Sequence, residues 1–305
     1  IVLPDPYPPG VVAVHLLEST AGPWLVDAGP PGAEARAALD EGLAALGLER
    51  EGLGGVLLSH DHLDHVGGLD AGQPARLRAH AATVRRLEEP AGGDAERTGA
   101  LLRRAGVPAD ARERLLPYRE PRDPSLSRRI RVAERLEGEE GTLGEPTGWR
   151  WLRARGHAPG HLLLHRPEDG TLLSSDQFMD RLKTPFDLGE PDADPWGAYR
   201  ASLTRAAELE PAAIHPAHTD TIRPALPWLE RRIGALDRAL GRVREATEDG
   251  AETAWRVMRR LYPGDPGGGQ QALLVRETLA GLRRLAAVGD AERRIVEGVE
   301  RYRPA

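Results

Sequence analysis

The stretch that most constrains the fold of this chain is a histidine-rich segment that directly follows a short apolar run. From Val56 to Gly68 the sequence reads VLLSHDHLDHVGG, which places His60, His62, Asp64 and His65 within six residues. An apolar run of this length, closed by Gly-Gly, is typical of a buried strand that turns into the next element. Alternate residues of an extended segment point the same way, so His60 and His62 can grip one metal ion, while Asp64 and His65 are aimed toward a second.

The composition excludes several classes of protein. The chain has 305 residues, of which 40% are hydrophobic and 29% charged, as expected for a globular protein of one large domain with an appendage, or of two domains. It has no apolar run long enough to predict a transmembrane helix, and prolines interrupt the first ten residues where a signal peptide would be apolar, so we expect a cytoplasmic protein. Cysteine is absent, so any metal must be held by imidazole and carboxylate groups.

The order of predicted elements indicates a layered α/β (α+β) fold. Two apolar runs, VVAVHLLE at 11–18 and WLVDA at 24–28, predict a hairpin, and the segment 33–46 has the composition and spacing of a helix. The strand before the histidine motif follows. Later strands are predicted at 149–154, 161–166, 170–174 and 212–214, with a helix at 196–209.

Residues 81–148 differ in character from their surroundings. They contain thirteen arginines and thirteen acidic residues, with short amphipathic helices predicted at 95–106 and 109–116. This pattern predicts a helical insertion. It favours two roles that do not exclude each other, a solvated surface segment and a lid over the site.

The segment 226–305 is predicted to be a separate, mainly helical part. Apolar residues from Leu226 to Val243 recur three and four apart, which predicts a long amphipathic helix, and two more helices are expected at 252–262 and 273–287. The end, 291–302, fits either a short β-wing or another helix. The segment has 15 arginines against 12 acidic residues, a net charge of +3. Residues 1–225 therefore carry −9, which gives the total of −6. We expect packing or homodimerisation through these helices rather than nucleic-acid binding.

Three later motifs place further metal-type ligands at the ends of predicted strands. They are GHAPGH, with His157 and His161, Ser174-Ser175-Asp176, and HPAH, with His215 and His218. Ligands that arrive one per loop at the same edge of a sheet form a site on a rigid scaffold. With these motifs in their order and spacing, the chain resembles the metallo-β-lactamase superfamily over residues 11–224, apart from the insertion. Ala158, Ser175, Ala217 and Thr219 replace residues that are usual in that family.

The resemblance implies a four-layer αββα sandwich with a dinuclear metal centre. By it, His60, His62 and His157 hold the first ion, Asp64, His65 and His218 hold the second, and Asp176 bridges them. Two divalent ions are implied, with zinc expected and iron or manganese as alternatives. A hydroxide bridging the ions, oriented by Asp64, would attack an electrophilic carbonyl or phosphorus.

Other side chains have weaker support from the sequence. Asp27, at the end of the second strand, resembles the family's aspartate that supports a metal-binding histidine, with a simple turn residue as the alternative. His161 either lines the pocket or bonds within its loop. His15 and His165 lie inside strand runs and are expected to be structural, His80 has no motif, and Asp61 occupies a variable position. The loop with Met179, Asp180, Arg181 and Lys183 either holds a substrate anion or is solvated.

Three functional hypotheses follow. The first is a hydrolase of a small ester or thioester, from the hydroxyacylglutathione-hydrolase-like branch with a winged-helix-like C-terminal segment. The second is a phosphodiesterase or ribonuclease that uses the same ions, although its substrate would require a basic groove, which the −9 charge of residues 1–225 disfavours. The third is a regulatory or redox module without hydrolytic activity. The complete set of seven ligands disfavours it.

Overall fold

The computed structural model describes residues 1–69, 76–89, 94–118, 123, 130–190, 193–247, 250 and 252–305. The chain divides into two compact units, each assembled from three segments. The first unit comprises Ile1–Gly92, Pro121–Thr184 and Ala206–Trp228, and the second comprises Gly93–Glu120, Pro185–Arg205 and Leu229–Ala305. Within the part of the chain that the structure describes, no helix is both long and apolar enough to cross a membrane.

The strands of the first unit form two large sheets and a small one. They are β1 (Val2–Pro4), β2 (Val11–Ala13), β3 (His15–Leu17), β4 (Trp24–Val26), β5 (Gly55–Leu58), β6 (Leu77–His80), β7 (Glu134–Leu136), β8 (Glu140–Thr142), β9 (Arg150–Arg153), β10 (Leu162–Arg166), β11 (Thr171–Ser175) and β12 (Ala213–Pro216). Among the described residues, the first large sheet has the order β3-β4-β5-β6-β7 and the second has the order β12-β11-β10-β9-β8, while β1 pairs with β2.

All the helices except α2 and α3, which were not predicted, lie close to predicted positions. They are α1 (Ala33–Ala44), α2 (Leu63–Val66), α3 (Ala81–Glu88), α4 (Asp94–Arg104), α5 (Ala109–Leu115), α6 (Pro195–Glu208), α7 (Ala225–Glu245), α8 (Ala254–Leu261) and α9 (Gly268–Ala287). Helix α9 begins five residues earlier than the predicted 273, inside a glycine run. Gln271 and Ala272 in its first turns are buried, so packing compensates for the low helix propensity of glycine.

The two large sheets share one apolar core because alternate residues of their strands face each other. Leu57 of β5 lies in this core with Trp24 and Val26 of β4, and the second sheet contributes Trp151 and Leu164 among others. The neighbours of Leu57 on its strand point to the other face of the first sheet. There Val56 and Leu58 pack with apolar residues of α1 and α3, including Leu39, Leu43, Val84 and Leu87. The predicted mixed α/β class, with helices flanking packed sheets, is confirmed.

One predicted strand is in fact two. The run 11–18 was expected to be continuous, but it is interrupted at Val14, and its halves belong to different sheets. Val11–Ala13 pairs with Val2–Pro4, whereas His15–Leu17 pairs antiparallel with Trp24–Val26, as the predicted hairpin requires. The amide of Val14 donates to the carbonyl of Ile1 at 2.9 Å. The first residues of the chain therefore take up hydrogen bonds at the point where the predicted strand is interrupted.

The interval 81–148 contains the two predicted helices, α4 and α5, and a further helix, α3, but its last part is not helical. Strand β7 pairs parallel with β6, and β8 pairs antiparallel with β9, so each closes one edge of a large sheet. Both are three-residue strands that begin with a glutamate, and the sequence alone does not distinguish them from loops. Residues 119–122 and 124–129 of this interval lie outside the described part of the chain.

The second unit ends in a β-hairpin, which decides between the two predictions for residues 291–302. Strands β13 (Ala291–Val296) and β14 (Val299–Pro304) pair antiparallel, with a turn at Glu297 and Gly298. Both turn residues have positive φ, at 52° and 77°, as a tight two-residue hairpin requires. The hairpin follows helices α8 and α9 in the chain.

Candidate metal centre

The predicted ligands are brought together at one end of the two large sheets. His60, His62, Asp64 and His65 follow β5, His157 follows β9, Asp176 directly follows β11, and His218 follows β12. Asp27, which follows β4, completes the group. Because strands β4 and β5 run parallel, as do β11 and β12, the loops at their carboxyl ends meet at the same edge.

The local conformation of the histidine motif explains why four neighbouring residues point to two places. His62 is extended, with φ −71° and ψ 149°, and is the residue that precedes α2. Helix α2 then turns Asp64 and His65 away from His60 and His62. The turn expected at Leu63 is thus a short helix, and it separates the motif into two pairs of ligands.

These side chains form two groups that share one carboxylate. The first group consists of His60, His62, His157 and Asp176, and the second consists of Asp64, His65, Asp176 and His218. Within each group the nitrogen and oxygen atoms that can bind a metal all lie within 4.8 Å of one another. Both groups combine imidazole with carboxylate, a set that suits zinc, iron and manganese.

Asp27 fixes the orientation of His65 through a hydrogen bond. The Nδ1–H group of His65 donates to Asp27 Oδ2 at 2.8 Å, and Asp27 also accepts bonds from the amide and the hydroxyl of Ser59, both at 2.7 Å. Asp27 is 2% exposed and holds φ at 64°, a costly conformation for this residue. The bonds compensate for that cost, and they leave Nε2 of His65 as the atom that faces the centre.

Ser59 and Val11 hold two further histidines in the same tautomer. The single proton of the Ser59 hydroxyl goes to Asp27, so its oxygen accepts from Nδ1 of His60, 2.9 Å away. His218 donates from Nδ1 to the carbonyl of Val11 at 2.7 Å. Nε2 of His60 and of His218 therefore faces the centre, and it is the atom that the neutral ring would offer to a metal.

The carboxylates of the centre are ionised and require a compensating positive charge. Burial opposes ionisation of Asp176, but His65 and His218 outweigh it and hold the pKa of that carboxyl well below its ordinary value. Burial likewise opposes protonation of His218, yet Asp176 and Asp64 raise its pKa to about 10. His60 faces mainly other histidines, so burial and their charge lower its pKa. Protons on His65 and His218 supply the positive charge that the carboxylates require, and a divalent ion would replace those protons.

Several buried atoms of the centre converge without forming hydrogen bonds. Among the described residues, Nε2 of His65 and Oδ1 of Asp176 are buried and have no hydrogen bond, although they lie only 3.2 Å apart. Nε2 of His60 lies 3.1 Å from Nε2 of His157, so two imidazole nitrogens converge on one point. Unpaired buried polar atoms are costly, and metal coordination would satisfy these. The donor set therefore fits a resident metal.

His161 lies directly behind this cluster. It is completely buried, and its ring centroid is 4.9 Å from that of His60. Neither of its nitrogens has a hydrogen-bond partner among the described residues, so the alternative of a loop hydrogen-bonder is wrong. Burial, followed by the charge of His157, lowers its pKa, and a neutral ring packs against the ligands.

The other candidate residues have structural explanations or lie elsewhere. His80 precedes α3, where Nδ1 accepts the amide of Ala82 at 3.0 Å. His215 bonds to Thr221, and Asp61 lies 3.5 Å from Arg86. In the 179–183 loop, Asp180 accepts the indole N–H of Trp228 at 2.9 Å, which anchors the loop.

The sequence did not point to three groups around the centre, namely Ser59, the carbonyl of Val11 and the carboxylate of Asp5. Asp5 is 7% exposed, its Oδ2 has no hydrogen bond among the described residues, and burial and then the charge of Asp64 raise its pKa. Ser59 could have been found, because it directly precedes the motif. Val11 and Asp5 could not, since they are more than fifty residues from His65 in the chain.

A fold of two packed sheets with a His/Asp centre at the strand ends defines a class of metal-dependent hydrolases. The model of the metallo-beta-lactamase superfamily matches residues 7–218. The chain therefore belongs to that superfamily, and the prediction of a metal-dependent hydrolase of this superfamily is confirmed.

Individual relatives agree with this assignment. The chain is 29% identical over 276 residues to the protein named "Probable metallo-hydrolase YqjP" from Bacillus subtilis (strain 168), a match that covers 86% of this chain and 84% of the relative. The crystal structure of the metallo-beta-lactamase family protein TTHA1429 from Thermus thermophilus is similar over 100% of this chain and 97% of its own, with a TM-score of 0.76 and 27% identity. A beta-lactamase domain protein from Burkholderia ambifaria is similar over 100% and 91%, with a TM-score of 0.79 and 25% identity.

Proposed function

We propose that this protein is a dinuclear, zinc-dependent hydrolase of small esters or thioesters. The observation that carries the proposal is the pair of donor groups that share Asp176. A single ion would need only one of them. The second group buries its own carboxylate and two histidines, and burying such groups destabilises the fold unless a second ion compensates for it.

In this proposal each predicted ligand keeps its role. His60, His62 and His157 would hold one ion and Asp64, His65 and His218 the other, with Asp176 available to both. When bound, two divalent ions lower the pKa of water toward neutrality and polarise the oxygen of the scissile group. The protein side chains orient the attacking water and hold the metal ligands in place.

Asp64 and Asp27 have different tasks. Asp64 Oδ2 lies 3.0 Å from Nε2 of His218, and its pKa is lowered despite burial by His65 and His218, so it is ionised at neutral pH. An ionised carboxylate accepts a hydrogen bond, and we assign to Asp64 the orientation of the attacking water. Asp27 acts through His65, which it holds in one tautomer.

A small substrate is favoured over a polyanion by charge. Residues 1–225 carry a net charge of −9, which repels a nucleic-acid backbone. The alternative is a phosphodiesterase or ribonuclease that uses the same ions, with the β13–β14 hairpin as the nucleic-acid contact. Two arginines of the hairpin, Arg294 and Arg303, already lie 3.6 and 2.6 Å from Glu292, so their charge is partly compensated.

The proposal also covers the branch of the superfamily, the cellular location of the protein and its oligomeric state. The hydroxyacylglutathione-hydrolase-like branch is supported by the helices and hairpin of the C-terminal segment, and a cytoplasmic location by the absence of cysteine. A homodimer is supported by Ile233, Leu236 and Leu240 of α7, which recur three and four apart and are only half-buried. Light scattering of the wild type and of Ile233→Glu tests the dimer, because a charge on this stripe would leave a monomer.

The test of function combines metal analysis with a substrate panel. We expect two zinc ions per chain, and hydrolysis of a thioester or small ester faster than that of a lactone, a β-lactam or a phosphodiester. Fast cleavage of the phosphodiester alone would establish the alternative instead. One ion per chain in the fully active enzyme would contradict the dinuclear centre.

A further inference from the structure

Helix α3 contacts two of the loops that carry the ligands of the first donor group. One loop is the histidine motif, which supplies His60 and His62, and the other is GHAPGH, which supplies His157. His60 and His157 are 97 residues apart in the chain. All of these residues lie in the first unit. An element that contacts both loops can fix how these distant ligands are placed relative to each other.

Arg86 of α3 reaches the histidine motif through Asp61. Nε of Arg86 lies 3.5 Å from Oδ2 of Asp61, and the side chain of Asp61 is 3% exposed. A buried carboxylate requires a compensating charge, so this ion pair holds Asp61 against the helix. Asp61 stands directly between His60 and His62 in the chain. Because its side chain is short, a fixed carboxylate also fixes the backbone that carries both ligands.

Thr83 of the same helix holds the GHAPGH loop. Its side chain is completely buried, and its hydroxyl donates to the carbonyl of Gly160 at 3.0 Å. Gly160 permits this close approach because a Cβ atom at its position would overlap the amide and the hydroxyl of Thr83. Gly160 is three residues from His157. The hydrogen bond therefore restrains the loop close to its metal ligand.

The helix is itself fixed in place. Nδ1 of His80 accepts the amide of Ala82 at 3.0 Å, so the ring carries its proton on Nε2 and donates to the carbonyl of Gly138 at 2.9 Å. Val84 and Leu87 are buried and pack in the core beside the first sheet. A helix held at its first turn and along its apolar face gives the two loops a rigid support.

The second donor group depends on other contacts. Asp27 bonds to His65 at 2.8 Å, and the carbonyl of Val11 accepts from His218 at 2.7 Å. Neither contact involves α3. A change in α3 can therefore weaken the first donor group without weakening the second.

We propose that Thr83 and Arg86 are positioning residues for the first ion, because together they place its histidine ligands. This inference rests on the proposed dinuclear centre and adds a role for α3 to it. Positioning predicts that loss of either contact weakens binding of the first ion. Electrostatics alone predicts the opposite for Arg86, because removal of a positive charge near the centre would favour a bound cation.

Titration of the full chain with zinc against a chelator of known affinity tests the proposal, after the bound metal has been removed. The histidine side-chain resonances, followed by NMR, identify which site fills. We expect Arg86→Met to weaken about tenfold the zinc step that shifts His157, and to leave the step that shifts His218 unchanged. Thr83→Val should weaken the same step about fivefold through the lost hydrogen bond. Thr83→Ser keeps the hydroxyl and should restore the wild-type affinity.

Two variants of the same helix are matched controls. Arg85→Met makes the same change at the neighbouring, exposed arginine. Val84→Ala removes a core contact of α3 and lowers stability without touching either loop contact. Both should bind zinc as the wild type does. Equal weakening in Val84→Ala and Arg86→Met would overturn the proposal, because it would reveal a general effect of stability.

Wild-type zinc affinity in folded Arg86→Met and Thr83→Val would also overturn the proposal, as would tighter binding in Arg86→Met. The two variants change different contacts, so a folding failure of one leaves the other as a test. A wild type that binds a single ion would contradict the dinuclear centre. In that case the inference stands if the ion shifts His157 and is weakened in Arg86→Met, and it fails otherwise.

Discussion

Two buried clusters of charged groups, one in each unit, differ in how the protein bonds their central carboxylates. In the second unit both oxygens of Glu300 accept bonds from Arg283, at 3.2 and 2.8 Å, and Tyr302 and Arg104 bond to the same carboxylate. In the first unit, Asp176 and His65 each keep a buried atom without a hydrogen bond, and three histidines present Nε2 to one region. A carboxylate whose two oxygens are both bonded to arginine stabilises the fold, whereas imidazole and carboxylate atoms that converge without hydrogen bonds are arranged to bind a metal ion.

The largest expected effect concerns the carboxylate shared by the two donor groups. Asp176→Ala should lower kcat/KM by about a thousandfold or more, because it removes a ligand from both ions at once. Steady-state kinetics together with metal analysis would measure this change. Asp110→Ala, which removes an exposed carboxylate paired with Arg114, is the control and should leave both quantities unchanged. Full activity in Asp176→Ala would contradict the dinuclear mechanism.

The second cluster should respond in stability instead of metal binding. Arg283 and Glu300 are 2% and 1% exposed at their side chains, so Glu300→Gln leaves a buried guanidinium without its counter-charge. We expect the free energy of unfolding to fall by about 3 kcal/mol, with the metal content unchanged. Chemical denaturation would measure the loss. A variant as stable as the wild type would show that the cluster contributes little.

A smaller effect is expected from the carboxylate that holds His65. Asp27→Asn keeps the shape of the side chain but removes the charge that fixes Nδ1–H of the histidine. Metal affinity should fall by about 10- to 100-fold, as for other partners of metal-binding histidines. Competition with a chelator of known affinity would quantify it, and Asp110→Asn serves as the control. Unchanged affinity would contradict the assigned role of Asp27.

The smallest effect is a dependence of stability on pH. Burial opposes ionisation of Glu300, but Arg283 and Tyr302 outweigh it and lower its pKa from the ordinary 4.5. A depressed pKa means that the stabilisation is complete above the unfolded-state value and is lost as the pH falls through the folded-state value. Denaturation of the apoprotein below about pH 4.5 should therefore show a steeper loss of stability in the wild type than in Glu300→Gln. Parallel curves for the two proteins would contradict this coupling.

The sequence determined the class of site because its chemistry is concentrated in short motifs. The segment SHDHLDH contains four ligands and requires no knowledge of the fold, and GHAPGH, SSD and HPAH follow predicted strands. Long amphipathic helices such as α7 were equally accessible, since their period is repeated over many residues. Short charged strands such as β7 and β8 were not, because three residues carry no recognisable period.

Only the tertiary structure decided how the ligands are grouped and held. The pairing of His65 with Asp27, 38 residues earlier, and of His218 with the carbonyl of Val11, 207 residues earlier, results from strand order and not from local pattern. A cavity between β3 and β12 has the same origin, because edge strands of two sheets meet only after both sheets have formed. The chemistry of a side chain follows from the identity of its residue, whereas hydrogen bonds and cavities depend on which distant backbone segments become neighbours.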